Sequence, residues 1–109
     1  MQFLTILRPS ANVQSEAFGA LQVAEEQEVW RLYTSGILRA AHWSGTPADI
    51  ANIRIVFTME ADVQGMIDAA IDGLPMVKAG LLVREVIPLS PWRALEVLFA
   101  NTEAREHEE

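Results

Sequence analysis

An α+β fold built on one four-stranded antiparallel sheet is predicted by three features of the sequence. Four β-prone runs are set off by Pro, Gly and Asn breakers. Two stretches of helical periodicity follow the first and the third of these runs. The resulting order of strand, helix, strand, strand, helix, strand is that of the ferredoxin-like split βαβ arrangement, which places both helices on one face of the sheet.

Each element has its own local signal. Met1 to Arg8 (MQFLTILR) reads as the first strand, ended by Pro9, Ser10, Ala11 and Asn12. From Val13 to Ser35 there is no Pro and one Gly, and Phe18, Leu21, Val29 and Leu32 recur at helical spacing, which predicts one long helix stopped by Gly36. Ile37 to Ser44 and Ile53 to Met59 read as a hairpin around the Gly45 to Asp49 turn region. Glu60 to Gly73 presents Val63, Met66, Ile67, Ala70 and Ile71 on one face and predicts a second helix, with Leu74 and Pro75 as its stop. Ala79 to Leu89 is the fourth strand, and Ser90 with Pro91 suits the N-cap and first-turn proline of a terminal helix through Phe99. The domain is thus expected to span residues 1–100, with the acidic 101–109 stretch a solvated tail.

Composition narrows the function classes. A chain of 109 residues holds one domain, and 50% hydrophobic against 21% charged residues is rich for so small a monomer, which predicts a homodimer or larger homo-oligomer. The open face of the sheet would otherwise carry apolar residues to water, and a second sheet packed on it removes that cost. A net charge of −7 with no basic stripe argues against nucleic acid as a partner. The longest apolar runs fall far short of the roughly 20 residues that cross a bilayer, so no membrane role is expected. Zero cysteines exclude disulfides and thiolate metal sites, and the lack of a charged-then-apolar leader fits a cytoplasmic protein.

The sharpest candidate for chemistry is Glu25, which interrupts the apolar stripe of the first helix. A carboxylate pressed against the sheet loses hydration and becomes a proton acceptor near neutral pH, unless it sits partly exposed at the edge of the stripe or an Arg neutralises it as a structural pair. His42 lies in the second strand, placed by strict alternation on the face of Leu38 and Ala40, with Arg39 and Trp43 on the other. It is a second catalytic candidate beside the commoner reading of a hydrogen-bonded structural histidine. Arg39, Arg54, Asn52 and Trp43 are the candidates for holding a substrate, the arginines through a carboxylate. Arg39, Arg54 and Arg84, three arginines in one small sheet, are each set against cross-strand pairing with Glu85 or exposure at the rim. Trp30, Tyr33 and Trp92 are most economically core or subunit-contact residues. No phosphate-cradling glycine loop, paired metal-spaced histidines or nucleophile elbow occurs, so a cofactor-free, metal-free reaction on a small molecule, or simple binding, is expected.

Glu25, the Leu32 to Gly36 helix end, Arg39, Ala51 with Asn52, and Leu74 with Pro75 together resemble the muconolactone isomerase family over roughly Phe3 to Pro88. That resemblance implies a dimeric α/β barrel, no cofactor, and a proton shift in a small unsaturated lactone or aromatic-derived acid, with Glu25 as base and Arg39 or Arg54 on the substrate carboxylate. His42 followed by Trp43 stands where the family has Trp followed by Arg, and Met76, Val77 and Lys78 replace a proline- and aromatic-rich segment. Two further expectations are a cofactor-free oxygenase using Trp43, Asn52 and His42, and a non-catalytic binding or accessory oligomer.

Overall fold

The computed structural model describes residues 1–95, 97 and 98. Its four strands are β1 (Gln2–Pro9), β2 (Leu38–Ser44), β3 (Arg54–Glu60) and β4 (Leu82–Leu89), joined in one sheet of order β2-β3-β1-β4. All three pairings are antiparallel, and β1 sits between β3 and β4, with Phe3 opposite both Met59 and Pro88. This is the ferredoxin-like arrangement that the element order predicts.

The helices are α1 (Ser15–Gly19), α2 (Gln22–Thr34), α3 (Gln64–Asp72) and α4 (Pro75–Lys78). Alternation along β1 sends Phe3, Thr5 and Leu7 to the helix side, where all are buried, together with Phe57, Met59 and Leu82 of the neighbouring strands. Ile67 and Ile71 of α3, one helical turn apart, and Leu32 of α2 close the core from above. The opposite face presents Leu4, Ile6, Val56, Thr58 and Ile87, each half-buried by its strand neighbours.

The structure revises several boundaries. The single helix expected from Val13 to Ser35 is two: at Leu21, with φ −108° and ψ −1° at the edge of the helical region, the N–H donates back three residues to Phe18 O at 3.1 Å. Gly19 weakens the helix just before the break. Phe18 and Leu21 still pack on the core across it, so apolar spacing gives no sign of the interruption. At the far end of α2, Gly36 takes φ +86° and donates to Tyr33 O at 3.1 Å, the left-handed stop its position implies. Glu60 belongs to β3 rather than to the following helix, since its N–H donates to Ile37 O at 2.8 Å. Leu74 and Pro75 do more than stop α3. Leu74 is fully buried and Pro75 opens α4, using its missing N–H and fixed φ where a helix start tolerates both. β4 begins at Leu82 instead of Ala79. Residues 93–95 and 97–98 are helical, so the terminal helix starts later than Pro91, and the 101–109 tail lies outside the described residues.

A bulge at Arg39 changes the facing of β2. Leu38 pairs with Met59 and Ala40 with Thr58, leaving Arg39 as the extra residue. Leu38 is buried on the helix side, whereas Ala40 and His42, opposite Thr58 and Val56, lie on the open face. Strict alternation from Leu38 therefore misplaces that residue relative to His42. Ala41 and Trp43, opposite Phe57 and Ile55, share the helix side. Trp30 and Tyr33 are not core: both are exposed on α2 and stack on each other, ring centroids 5.5 Å apart.

Arg84 does not pair with Glu85. It reaches from β4 to α3, donating Nε and Nη2 to the two carboxylate oxygens of Asp72 at 2.6 and 3.1 Å and Nη1 to Asp68 at 3.1 Å. The fork locks the helix to the sheet edge, and the guanidinium holds the Asp72 carboxyl below its usual range through these hydrogen bonds. With both partners partly exposed, Arg84→Met should cost about 1 kcal/mol in urea unfolding at neutral pH. Because the Asp72 value is depressed on folding, that stability is present above the ordinary carboxylate range and fades as pH falls through it. High salt should shrink it as well.

Candidate functional site

Glu25 projects from the buried side of α2 with 8% of its surface exposed, the one charged side chain among the buried described residues. Among the described residues, no Arg or Lys forms an ion pair with it. Its Oε1 accepts the Met76 N–H at 2.9 Å, and no described residue donates to Oε2. The Met76 donor is available because Pro75 starts α4 there: N–H groups in the first turn of a helix have no partner within it. Burial pushes the Glu25 carboxyl above the usual carboxylate range, the Met76 hydrogen bond partly offsets this, and the Glu28 charge adds to the rise. Glu28 itself is tied up with Arg31, whose Nε donates to it at 2.9 Å.

Glu25 opens onto a cavity of about 420 Å³ between α2 and the helix side of the sheet. The sheet contributes Pro9, Ile55, Leu82 and Trp43, and the β2–β3 connection contributes Pro47, Ile50 and Ile53. Ser15 and Phe18 of α1, Gln22 and Glu26 of α2 and Met76 of α4 complete the wall. The lining is mostly apolar, and its charged groups are two carboxylates. Such a cavity is of a size for a small ring compound, and it offers one desolvated proton acceptor to whatever fills it.

Trp43 owes its place to a glycine. Its indole N–H donates to Gly45 O at 3.0 Å, which anchors the ring at the cavity wall. Gly45 adopts φ +102°, and a Cβ on it would sit 3.0 Å from Asn52 O and 3.1 Å from the Ile53 Cα. Only glycine satisfies both the left-handed backbone and the close approach of the two hairpin arms.

The structure gathers Glu25 and Trp43 from the sequence-derived candidates and leaves the others elsewhere. His42 faces the open side of the sheet, across β2 from Trp43. Arg54 is on that open side too, paired across strands with Ser44, and its Nη1 donates to the carbonyls of Ala51 and Ile53 at 3.0 and 2.7 Å. Asn52 closes a 3₁₀ turn (Ile50–Asn52) and donates to Asp49 at 2.7 Å. Arg39 is exposed on the bulge. The Trp43, Asn52 and His42 trio invoked for oxygenation is therefore not assembled within one subunit. Among the described residues, no group of three His, Asp or Glu side chains is placed to hold a metal ion. Sequence reasoning missed Phe18, Gln22 and Met76 as wall residues. The helix-start proline after Leu74 was the available signal for Met76.

A second, more open hollow of about 650 Å³ shares Pro9 and Ile50 with the cavity and contains Arg8, Ser10, Asn12 and Val83. No helix among the described residues is long and apolar enough to cross a membrane.

No family model matches the chain, and no curated protein sequence does. Among solved structures, it is similar to 5-chloro-2-hydroxyhydroquinone dehydrochlorinase from Burkholderia phenoliruptrix AC1100 in complex with 2,5-dihydroxybenzoquinone. The TM-score is 0.66 at 19% identity, over 86% of this chain and 98% of the other. A likeness at that identity establishes a shared fold.

Gly45→Ala should destabilise the protein by about 2 kcal/mol or more in chemical denaturation and shift the Trp43 indole N–H resonance. Gly65→Ala is the control: an added Cβ there meets nothing within 4 Å, and the change should be neutral or slightly stabilising.

Proposed function

We propose that this protein is a small-molecule enzyme in which Glu25 removes a proton from a carbon made acidic by a conjugated carbonyl, within an unsaturated lactone or a compound derived from an aromatic ring. The observation that carries this reading is a buried carboxylate in the wall of a mostly apolar cavity, with one oxygen fixed by Met76 and no described donor to the other. A base in that setting is poorly hydrated and has its proton affinity raised, which favours transfer from carbon near neutral pH.

The carboxylate takes the proton and becomes a neutral acid, while the C–H electron pair moves into the conjugated system. Returning the proton to the far end of that system completes an isomerisation. Expulsion of a leaving group from the next carbon completes an elimination instead, and the similar solved structure, named a dehydrochlorinase, favours keeping this as the second reading. In this proposal neither outcome needs an organic cofactor or a metal ion, because the substrate's own conjugation accepts the electrons.

The working unit is proposed to be a homodimer or larger homo-oligomer, with the open faces of two sheets packed together as an α/β barrel. Leu4, Ile6, Val56 and Ile87 support this, since they form an apolar centre that no described helix covers. Leu4→Glu should then give a monomer by light scattering, whereas the native protein elutes as a dimer or larger.

Glu25→Gln should retain binding of a substrate identified from a panel of neutral unsaturated lactones and hydroquinones, and should lose at least about 10² in turnover. Undiminished turnover would overturn the assignment. The same variant has a thermodynamic signature. A carboxyl whose value is raised on folding makes the native state bind more protons than the unfolded chain above the ordinary 4.5, so stability declines as pH rises through that window. Glu25→Gln removes the decline. Its melting temperature should exceed that of the native protein at pH 8, and the gap should close below pH 4.5.

A further inference from the structure

Among the described residues, the cavity is lined by two carboxylates and no cation, which makes its electrostatics one-sided. Glu25 lies in its wall, more than nine-tenths buried, with Oε2 free of any described donor. Glu26, next along α2, lines the exposed part of the same cavity, and its Oε1 accepts only the Gln22 amide, at 3.2 Å. The described cations are committed or outside the lining: Arg31 to Glu28, Arg84 to Asp68 and Asp72, and Arg54 to backbone carbonyls beyond the sheet, while Lys78 at the end of α4 acts on the Glu28 charge and Arg39 and Arg93 are exposed elsewhere. Arg8 lies in the neighbouring hollow, past the Pro9 and Ile50 that the two spaces share.

We propose that the cavity selects ligands without a formal negative charge, with Glu26 the specificity-determining residue that turns anions away at its mouth. This deepens the reading of Glu25 as the base and rests on the cavity being the ligand site. It departs from the carboxylate-gripping role that the sequence suggests for Arg39 and Arg54. An anion entering here gives up hydration for apolar walls, meets the Glu26 charge on the way in and the Glu25 carboxylate inside, and finds no counter-ion. A neutral ring bearing hydroxyl or carbonyl groups loses far less water and can hydrogen-bond to Glu25, Gln22 and Ser15. Rejecting a competitor through repulsion, as well as attracting the substrate, is a common way of building specificity.

The test uses two probes of nearly equal shape, 2,5-dihydroxybenzamide and 2,5-dihydroxybenzoate, titrated into the intact protein at pH 6.5 while the Trp43 indole N–H is followed by NMR. The amide should bind at least about tenfold more tightly. Glu26→Gln should strengthen benzoate binding by about threefold or more and leave the amide unchanged, the modest size reflecting solvent screening at an exposed position. Arg8→Ala should alter neither. Equal affinity for the two probes, or a gap that Glu26→Gln leaves intact, overturns the selectivity proposal without touching Glu25 as base. Loss of benzoate binding in Arg8→Ala overturns it in favour of anion capture through the adjoining hollow. Failure of both probes to move Trp43 overturns it together with the assignment of the cavity, whereas turnover by Glu25→Gln would overturn the base assignment alone.

Discussion

The Glu25 carboxylate accepting the Met76 N–H is the interaction on which the rest of the site depends. It is buried, 2.9 Å long, and joins residues 51 positions apart in the chain, so it exists only when α2, α4 and the sheet are all in place. Without it, burying Glu25 would leave a charge with no partner, at a cost that a small domain could not easily bear. With it, one oxygen is satisfied by the backbone and the other has no described donor. A side-chain donor such as Arg would have quenched the carboxylate's basicity as well as fixing it. A backbone N–H lowers the proton affinity only in part, so burial still dominates.

The sheet divides the molecule into two chemical environments. On the helix side, Phe3, Leu7, Phe57, Met59 and Leu82 make a buried floor, and Leu82, Ile55 and Trp43 line the cavity. On the other side lie His42, Arg54 and the half-buried aliphatic residues of β1 and β3. Polar groups on that side are separated from Glu25 by the thickness of the sheet, so within this chain neither Arg54 nor His42 lines the cavity with Glu25. This division is what turns the expected carboxylate-binding site into an anion-poor cavity.

Much of the fold was legible because it rests on local periodicity. The strand alternation of residues 1–8, the Ile67 and Ile71 pair, and Gly36 at its left-handed stop each carry their own signal within a few residues. Glu25 was legible for a related reason: a charge inside an apolar stripe conflicts with the pattern, and such conflicts gather at sites. The Arg39 bulge was not legible, because one added residue leaves composition unchanged while reversing the relation between Leu38 and His42. Nor was the α1–α2 break, since Phe18 and Leu21 pack on the core on either side of it. The partners of Arg84 were not legible either, since Asp68 and Asp72 lie on α3, where only the tertiary fold brings them within reach.

The most direct test of this account is an NMR titration of the Glu25 side-chain carboxyl, labelled with ¹³C, with the Met76 amide followed in the same samples. A midpoint clearly above the ordinary 4.5, reported in parallel by Met76, is the predicted result for a buried base held by a single backbone donor. A midpoint at or below 4.5, or a Met76 amide that ignores the titration, would contradict it, placing Glu25 either in contact with solvent or beside a cation.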